Sequence, residues 1–331
     1  MPDYKGYNVS YGFVLSEMGR SIYHEPNKRG MLMYQKIMVP LDGSDAAEIA
    51  LPYAEEIASK TEAELALVSV SDPTRDGEDN LYRSYLERVS AQVVSEFKDW
   101  GAAAEATVRS QVLVGVPADA IIRYADEKDV SLMIMASRGR SRKGPWRLGT
   151  VAAKVLRATK NPVLLVRAPA DEVARKQRRL VKRILVPLDG SDVGEAALPW
   201  AVELAQPLGA EVILYQVVKH VMILATEGAA MSSEMYEEEE KYRRAAAMAY
   251  LENMGKSALE KGLSISHALG SGPPADQIID YAEANEVDLI AMSTHGRSGI
   301  SRWVFGSVTD KVLHAGNTAV LTVRAGKGAG I

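Results

Sequence analysis

Residues 37–54 read IMVPLDGSDAAEIALPYA, and residues 184–201 read ILVPLDGSDVGEAALPWA. Of these 18 positions 13 are identical, at an offset of 147 residues. A second pair follows in the same order at an offset of 157: residues 135–150 read MASRGRSRKGPWRLGT, and residues 292–307 read MSTHGRSGISRWVFGS. Two collinear matches indicate an internal duplication of a whole domain. The offsets differ by ten, which predicts ten extra residues in the second copy, within residues 219–244.

Short apolar, β-rich runs alternate with helical patterns in each copy. In the first copy the predicted strands are residues 36–41, 64–70, 107–114, 132–135 and 163–166. The predicted helices there are residues 46–59, 81–100, 118–127 and 146–158. We expect a kink at Pro52 and at its counterpart Pro199, because both fall inside the first helix of a copy. Strand–helix alternation favours parallel sheets with right-handed crossovers. We therefore predict an α/β fold of two tandem, doubly wound, five-stranded parallel-sheet domains with strand order 3-2-1-4-5.

The duplication also sets the expected domain boundaries. Met31 and Met33 are alternative starts for the natural chain. The predicted segments are an N-terminal arm at residues 1–33, copy one at residues 34–168, a charged linker at residues 169–181, copy two at residues 182–325, and a tail at residues 326–331.

Composition restricts the classes of protein that this sequence can encode. The 331 residues carry a net charge of −4 and are 47% hydrophobic, which suits about two globular domains. Cysteine is absent, which excludes disulfides and cysteine-ligated metals and favours a reducing compartment. No apolar run approaches the ~18 residues of a transmembrane helix, and the N-terminus lacks a signal-peptide pattern. We expect a cytoplasmic protein with neither a membrane nor a nucleic-acid partner.

The turn after the first strand of each copy carries two acids. Asp42 and Asp189 end that strand, at the carboxyl edge where open α/β sheets bind ligands. Asp45 and Asp192 have the spacing of a capping box with the glutamates three residues later. We therefore interpret Asp45 and Asp192 as helix caps, and Asp42 and Asp189 as ligand-binding residues.

A loop bounded by glycines follows the fourth predicted strand of each copy. Glycine lets the backbone approach an anion closely, and the helix beyond offers free N–H groups and a positive dipole end. In a 3-2-1-4-5 sheet this loop and the aspartate turn flank one crevice, which indicates a nucleotide with Mg²⁺ between them. The loop runs from Gly139 over nine residues to Gly149 and Thr150, and from Gly296 over nine residues to Gly306 and Ser307.

The VPLDGS turn, the Gly-x9-Gly-Ser/Thr loop and the final NPVLLV strand resemble the universal stress protein family. The resemblance covers residues 36–167 and 183–324. It implies domains of the adenine-nucleotide α-hydrolase type that bind ATP, with the loop around the triphosphate, the strand-one aspartate near ribose and metal, and a strand-two valine at adenine. Ala136 and Ser293 stand where the family pattern has its first glycine. The implied ATP-binding residues are Asp42, Val70, Gly139, Gly149 and Thr150 in copy one, and Asp189, Val217, Gly296, Gly306 and Ser307 in copy two, with Asp42 and Asp189 at Mg²⁺.

The sequence favours an ATP-binding stress-response or signalling module with at most slow ATP hydrolysis. Hydrolysis is expected to be slow at most because, apart from the aspartate, no nucleophile–base pair repeats in both copies. Two alternatives stay open: an adenylyl-transfer enzyme of the related nucleotide-binding superfamily, and a non-catalytic scaffold that binds a partner. We also predict that copy two binds ATP at least as tightly as copy one. The copies should pack as an internal pseudo-dimer through residues 162–166 and 318–323, while pairing between chains into a homo-oligomer stays open.

Overall fold

The computed structural model describes seven stretches of the chain, which contain ten β-strands. The described residues are 33–75, 77–99, 107–139, 148–167, 180–218, 233–294 and 305–325. The strands of copy one are β1 (Lys36–Pro40), β2 (Glu64–Ser71), β3 (Val108–Val114), β4 (Leu132–Ala136) and β5 (Val163–Val166). The strands of copy two are β6 (Arg183–Pro187), β7 (Glu211–Val218), β8 (Ile265–Ser271), β9 (Leu289–Ser293) and β10 (Ala319–Val323). The predicted arm up to residue 32, the linker up to residue 179 and the tail lie outside these residues.

Helices connect the strands in both copies, so the predicted strand–helix alternation is confirmed. No helix in the described part of the chain is long and apolar enough to cross a membrane. The helices of copy one are α1 (Asp45–Glu48), α2 (Leu51–Thr61), α3 (Glu78–Asp99), α4 (Pro117–Glu127) and α5 (Thr150–Ala158). The helices of copy two are α6 (Asp192–Glu195), α7 (Leu198–Leu208), α8 (Ser233–Glu260), α9 (Pro274–Ala284) and α10 (Ser307–Ala315).

The strands of both copies belong to one ten-stranded sheet. Its order is β3-β2-β1-β4-β5-β10-β9-β6-β7-β8, which confirms the 3-2-1-4-5 order within each copy. Pairing within a copy is parallel, whereas β5 and β10 pair antiparallel. Leu164 lies opposite Leu321, its own counterpart at an offset of 157. The two copies are therefore related by a pseudo-two-fold axis through these strands, where the sequence predicted the contact.

Helices cover both faces of the sheet, and the strand pattern follows from that burial. Every residue of β4, β5, β9 and β10 is buried. Along β1 the side chains alternate: Ile37 and Val39 pack in one hydrophobic cluster, and Met38 packs in the other. Strands buried on both faces need continuous apolar runs, because successive side chains point to opposite faces.

The residues just before β1 and β6 cross the junction to the other copy. The backbone N–H of Met33 donates to Glu203 of copy two at 3.1 Å. In return, the N–H groups of Leu180 and Val181 donate to the two carboxylate oxygens of Glu56 in copy one, at 3.0 and 3.2 Å. Burial raises the pKa of Glu56 to about 7, although these two hydrogen bonds oppose the rise.

The residues just after β5 and β10 also cross the junction. Arg167 donates to the carbonyl of Val312 in α10 at 3.0 Å, and Arg324 donates to the carbonyl of Arg157 in α5 at 2.8 Å. Each guanidinium thus lies near the C-terminal end of a helix in the other copy, where the helix dipole favours a cation.

The helix that was predicted to kink at proline is instead two helices. Pro52 and Pro199 are the second residues of α2 and α7, and short helices precede them. The predicted kink is therefore wrong: proline is tolerated in the first turn, where its missing N–H has no acceptor to lose.

The predicted caps are also wrong by one residue. Ser44 is the N-cap of α1, and its hydroxyl accepts the N–H of Ala47 at 3.3 Å. Ser191 does the same for α6, accepting the N–H of Gly194 at 3.1 Å. Asp45 and Asp192 are the first residues inside these helices, so a serine hydroxyl takes the capping role that the spacing assigned to the aspartates.

Candidate functional site

The Asp-Gly-Ser turn after β1 and β6 fixes the orientation of the two candidate aspartates. Asp42 Oδ1 accepts the backbone N–H of Ser44 at 3.1 Å and its hydroxyl at 2.5 Å. Asp189 Oδ1 makes the same two bonds with Ser191, at 3.1 and 2.6 Å. The glycines between them have φ of 79° and 76°, a left-handed conformation that disfavours any side chain. The turn therefore holds each carboxylate at the carboxyl edge of the sheet.

In copy one the structure brings the predicted aspartate and the predicted glycine loop together. A Cβ atom at Gly139 would overlap Oδ2 of Asp42. Gly139 follows β4, and β4 pairs with β1, the strand that precedes Asp42. The absence of a side chain at this glycine is therefore what lets the carboxylate lie against the loop.

The far end of the loop starts a helix in both copies. Gly149 and Gly306 are the N-caps of α5 and α10, and neither helix has a side-chain cap. Each glycine donates its own N–H to a backbone carbonyl just after the preceding strand, at 2.7 and 2.9 Å. Thr150 and Ser307 begin the helices, whose first-turn N–H groups have no intrahelical acceptor. Such a terminus suits an anionic group.

A cavity of about 680 Å³ opens at this edge of copy two. Its size lies within the ~300–1,000 Å³ usual for small-molecule sites. Gly296, the remaining predicted residue of copy two, lies outside the described residues. The cavity is lined by the other four predicted residues of copy two, Asp189, Val217, Gly306 and Ser307, and by a stripe of α8 comprising Arg243, Ala246, Ala247 and Tyr250.

Two tyrosines that the sequence did not single out link α3 and α8 to the short helices that follow the aspartate turns. Tyr85 of α3 donates its hydroxyl to Glu48 at 3.0 Å, and Tyr250 of α8 donates to Glu195 at 2.7 Å. Burial raises the pKa of Glu195, and the Tyr250 hydrogen bond opposes that rise. The two tyrosines are 165 residues apart, an offset that neither sequence match shares, so the repeat did not reveal them.

The remaining sequence candidates are placed only in part. Val70 is the penultimate residue of β2 and packs against the second hydrophobic cluster, as Val217 does from β7. The loop between the glycines lies outside the described residues at positions 140–147 and 295–304. The basic residues Arg140, Arg142, Lys143 and Arg147 of the copy-one loop therefore fall outside the described part of the chain.

Within the described ranges, no group of three or more histidine, aspartate or glutamate side chains is arranged to hold a metal ion. Neither Asp42 nor Asp189 therefore belongs to a group of three such side chains within these ranges. A cation at either position would need further oxygen ligands from a bound molecule or from water.

The sequence of both copies matches a known family along nearly the whole repeat. The family model described as the universal stress protein family matches residues 33–167 and 181–324. The chain belongs to the universal stress protein family. Both copies are thus universal stress protein domains, arranged in tandem as the sequence predicted.

Individual universal stress proteins match either one copy or both. One from Methanocaldococcus jannaschii is 33% identical over 160 residues, covering 47% of this chain and 90% of that protein. One from Synechocystis is 24% identical over 315 residues, covering 88% of this chain and 100% of that protein. The crystal structure of a universal stress protein from Archaeoglobus fulgidus aligns with a TM-score of 0.62 at 21% identity, covering 88% of this chain and 98% of that one. It shares the tandem fold.

Proposed function

We propose that this universal stress protein binds ATP with Mg²⁺ in the cavity of copy two, as a nucleotide-dependent stress-response or signalling module. The observation that carries the proposal is the composition of that cavity. It has the Asp189 turn as one wall and the Gly306–Ser307 helix start as another. A carboxylate facing an uncapped helix N-terminus across a mainly apolar space suits a molecule with a base at one end and phosphates at the other.

The apolar part of the lining supports a planar base. Val217 at the end of β7, Ile278 of α9 and Met292 of β9 all contribute to it. Burying a base among such side chains removes apolar surface from water. The phosphates would then lie at α10, whose first residue Ser307 adds a hydroxyl donor.

A single carboxylate is sufficient for the proposed Mg²⁺. Magnesium usually binds through one or two carboxylates together with substrate phosphates and water. Asp189 fits that role, because its Oδ1 is anchored by Ser191 and the carboxylate lines the cavity. The ion would neutralise phosphate charge beside this acid, and ATP without Mg²⁺ should therefore bind more weakly.

Calorimetric titration of the full chain tests the proposal. We expect saturable heat with ATP and Mg²⁺, weaker binding when EDTA removes the metal, and no comparable binding of NAD. Absence of heat and of any thermal shift at millimolar ATP would contradict the proposal, as would tighter binding of NAD. Release of pyrophosphate from bound ATP would instead favour an adenylyl-transfer enzyme.

A further inference from the structure

We propose that the two copies are unequal: copy two accepts the nucleotide, whereas Tyr82 and Glu78 of α3 close the crevice of copy one to it. This inference rests on the proposed function and adds which site is used and which side chains decide it. Three side-chain differences carry it, and the first two depend on aligning α3 with α8.

The tyrosine–glutamate hydrogen bonds set that alignment. Tyr85 bonds to Glu48 and Tyr250 bonds to Glu195, and the two glutamates are counterparts in the repeat. The buried side chains that follow keep the same spacing, which confirms the register. They are Leu86, Val89 and Val93 in α3, and Leu251, Met254 and Ala258 in α8.

The first difference is one of volume. Three residues before the aligned tyrosines, α3 carries Tyr82 and α8 carries Ala247. Ala247 lines the copy-two cavity. Tyr82 is only 5% exposed, so its ring is buried at the position aligned with Ala247. A phenol ring therefore occupies in copy one the position that a methyl group leaves open in copy two.

The second difference is a reversal of charge. Seven residues before the aligned tyrosines, α3 carries Glu78 and α8 carries Arg243. Arg243 lines the cavity and forms an ion pair with Glu239 at 2.6 Å. Glu78 is held in place by the N–H of Asp72 at 2.6 Å. A polyphosphate would meet a guanidinium in copy two and a carboxylate in copy one, which favours binding in copy two.

The third difference changes the position of the aspartate. A Cβ atom at Gly194 would overlap Oδ1 of Asp189, so the carboxylate lies against this glycine of α6. The counterpart of Gly194 in copy one is Ala47. Its methyl group denies Asp42 that space, and Asp42 lies against Gly139 of the loop instead.

Together these differences identify the substrate class of copy two as a nucleotide with its phosphates, rather than a nucleoside. Arg243 lies two helical turns before Tyr250 in α8, at the position that Glu78, the first residue of α3, occupies in copy one. α8 begins at Ser233, 17 residues before its tyrosine, whereas α3 begins at Glu78, 7 residues before its own, so the additional residues of α8 all precede Arg243. The cationic wall therefore comes from the reversal of charge at this aligned position and not from the extra residues of the second copy.

The test exchanges side chains between the copies at two aligned positions, Tyr82 with Ala247 and Glu78 with Arg243, in the full-length protein. Calorimetry with ATP and Mg²⁺ measures the affinity and the stoichiometry of binding. The wild type should bind one ATP per chain. Ala247→Tyr should lower the affinity at least about tenfold, since overpacking must displace either the ring or the ligand. The double variant Tyr82→Ala, Glu78→Arg should raise the stoichiometry toward two.

A surface variant keeps the test independent of core packing. Arg243→Glu should weaken ATP roughly tenfold or more and leave adenosine binding unchanged, because only the phosphates meet this side chain. Arg244→Glu is the matched control: it carries the same charge change one residue along α8, outside the cavity lining, and should change ATP affinity less than about twofold.

The outcomes separate this inference from the proposed function. Two equal ATP equivalents in the wild type, or unchanged ATP affinity in both Ala247→Tyr and Arg243→Glu, would overturn the inference while ATP binding itself stands. Equal losses in Arg243→Glu and Arg244→Glu would also overturn it, since the effect would then be general charge. A wild type that binds no ATP would instead refute the proposed function.

Discussion

Copy one and copy two have the same backbone at the carboxyl edge of the sheet but different side chains above it. Both keep the Asp-Gly-Ser turn, the serine cap and the glycine that starts the last helix. They differ where α3 and α8 face the crevice, with Tyr82 opposed to Ala247 and Glu78 to Arg243. The duplication has therefore preserved the residues at the sheet edge, while the side chains of α3 and α8 above the crevice have diverged.

The largest expected effect concerns the strands that join the copies, compared with a strand at the outer edge. Leu165 in β5 is fully buried and lies opposite Val320. Leu165→Lys should lower the free energy of unfolding by about 3–5 kcal/mol, because an unpaired charge would be buried. Chemical denaturation followed by circular dichroism measures this loss.

Ser110 in the outer strand β3 gives the matched control, since its side chain is exposed. Ser110→Lys should change the free energy of unfolding by less than about 0.5 kcal/mol. Similar losses in both variants would mean that β5 and β10 do not form the buried centre of the sheet.

A smaller effect concerns Glu56, the buried glutamate of copy one that accepts hydrogen bonds across the junction. Burial raises the pKa of Glu56 from 4.5 to about 7. The folded protein then binds this proton more tightly than the unfolded chain does. Its contribution to stability is present below about pH 4.5 and is lost as the pH rises to about 7, by on the order of 3 kcal/mol.

Glu56→Gln should remove this part of the pH dependence. Urea unfolding of the wild type and the variant at pH 5 and pH 7.5 measures how much the free energy of unfolding of each protein changes with pH, and these two slopes are compared. Equal slopes would show that Glu56 does not titrate in this window, and that the fork of N–H groups from Leu180 and Val181 holds it ionised.

The smallest of these effects concerns packing beside the cavity. A Cβ atom at Gly270 would overlap the hydroxyl of Tyr215. In copy one, Leu113 stands at the position of Gly270 and Val68 at the position of Tyr215. Gly270→Leu should cost about 1–3 kcal/mol through overpacking. Adding Tyr215→Val recreates the copy-one pair and should recover part of that loss. A thermal denaturation double-mutant cycle without coupling would show that the two positions pack independently.

The sequence predicted the fold because the repeat aligns strands, and strand order follows from short parallel connections. It also predicted that Asp42 and the glycine loop would flank one crevice, since both follow adjacent strands. It could not align Tyr82 with Ala247. α3 and α8 align at a spacing of 165 residues rather than 147 or 157. The reason is that extra residues precede α8, and a shorter connection after it compensates for part of them. Helix register is set by packing on the sheet, which residue counting does not reveal.

The cap assignment failed for a related reason. Spacing alone marked Asp45 and Asp192 as caps, yet each serine one residue earlier has the extended backbone that a cap requires. Both Ser44 and Ser191 then serve twice, as caps and as donors to the candidate aspartates. Only the coordinates show that one hydroxyl can do both.

Photoaffinity labelling with azido-ATP tests the inequality of the two copies most directly. The intact protein is irradiated with the probe and Mg²⁺, digested, and the labelled peptides are mapped by mass spectrometry, with excess ATP as competitor. Competable label should fall within residues 180–325, and Ala247→Tyr should abolish it. Equal competable labelling of residues 33–167 would contradict it, because copy one would then accept the nucleotide despite Tyr82 and Glu78.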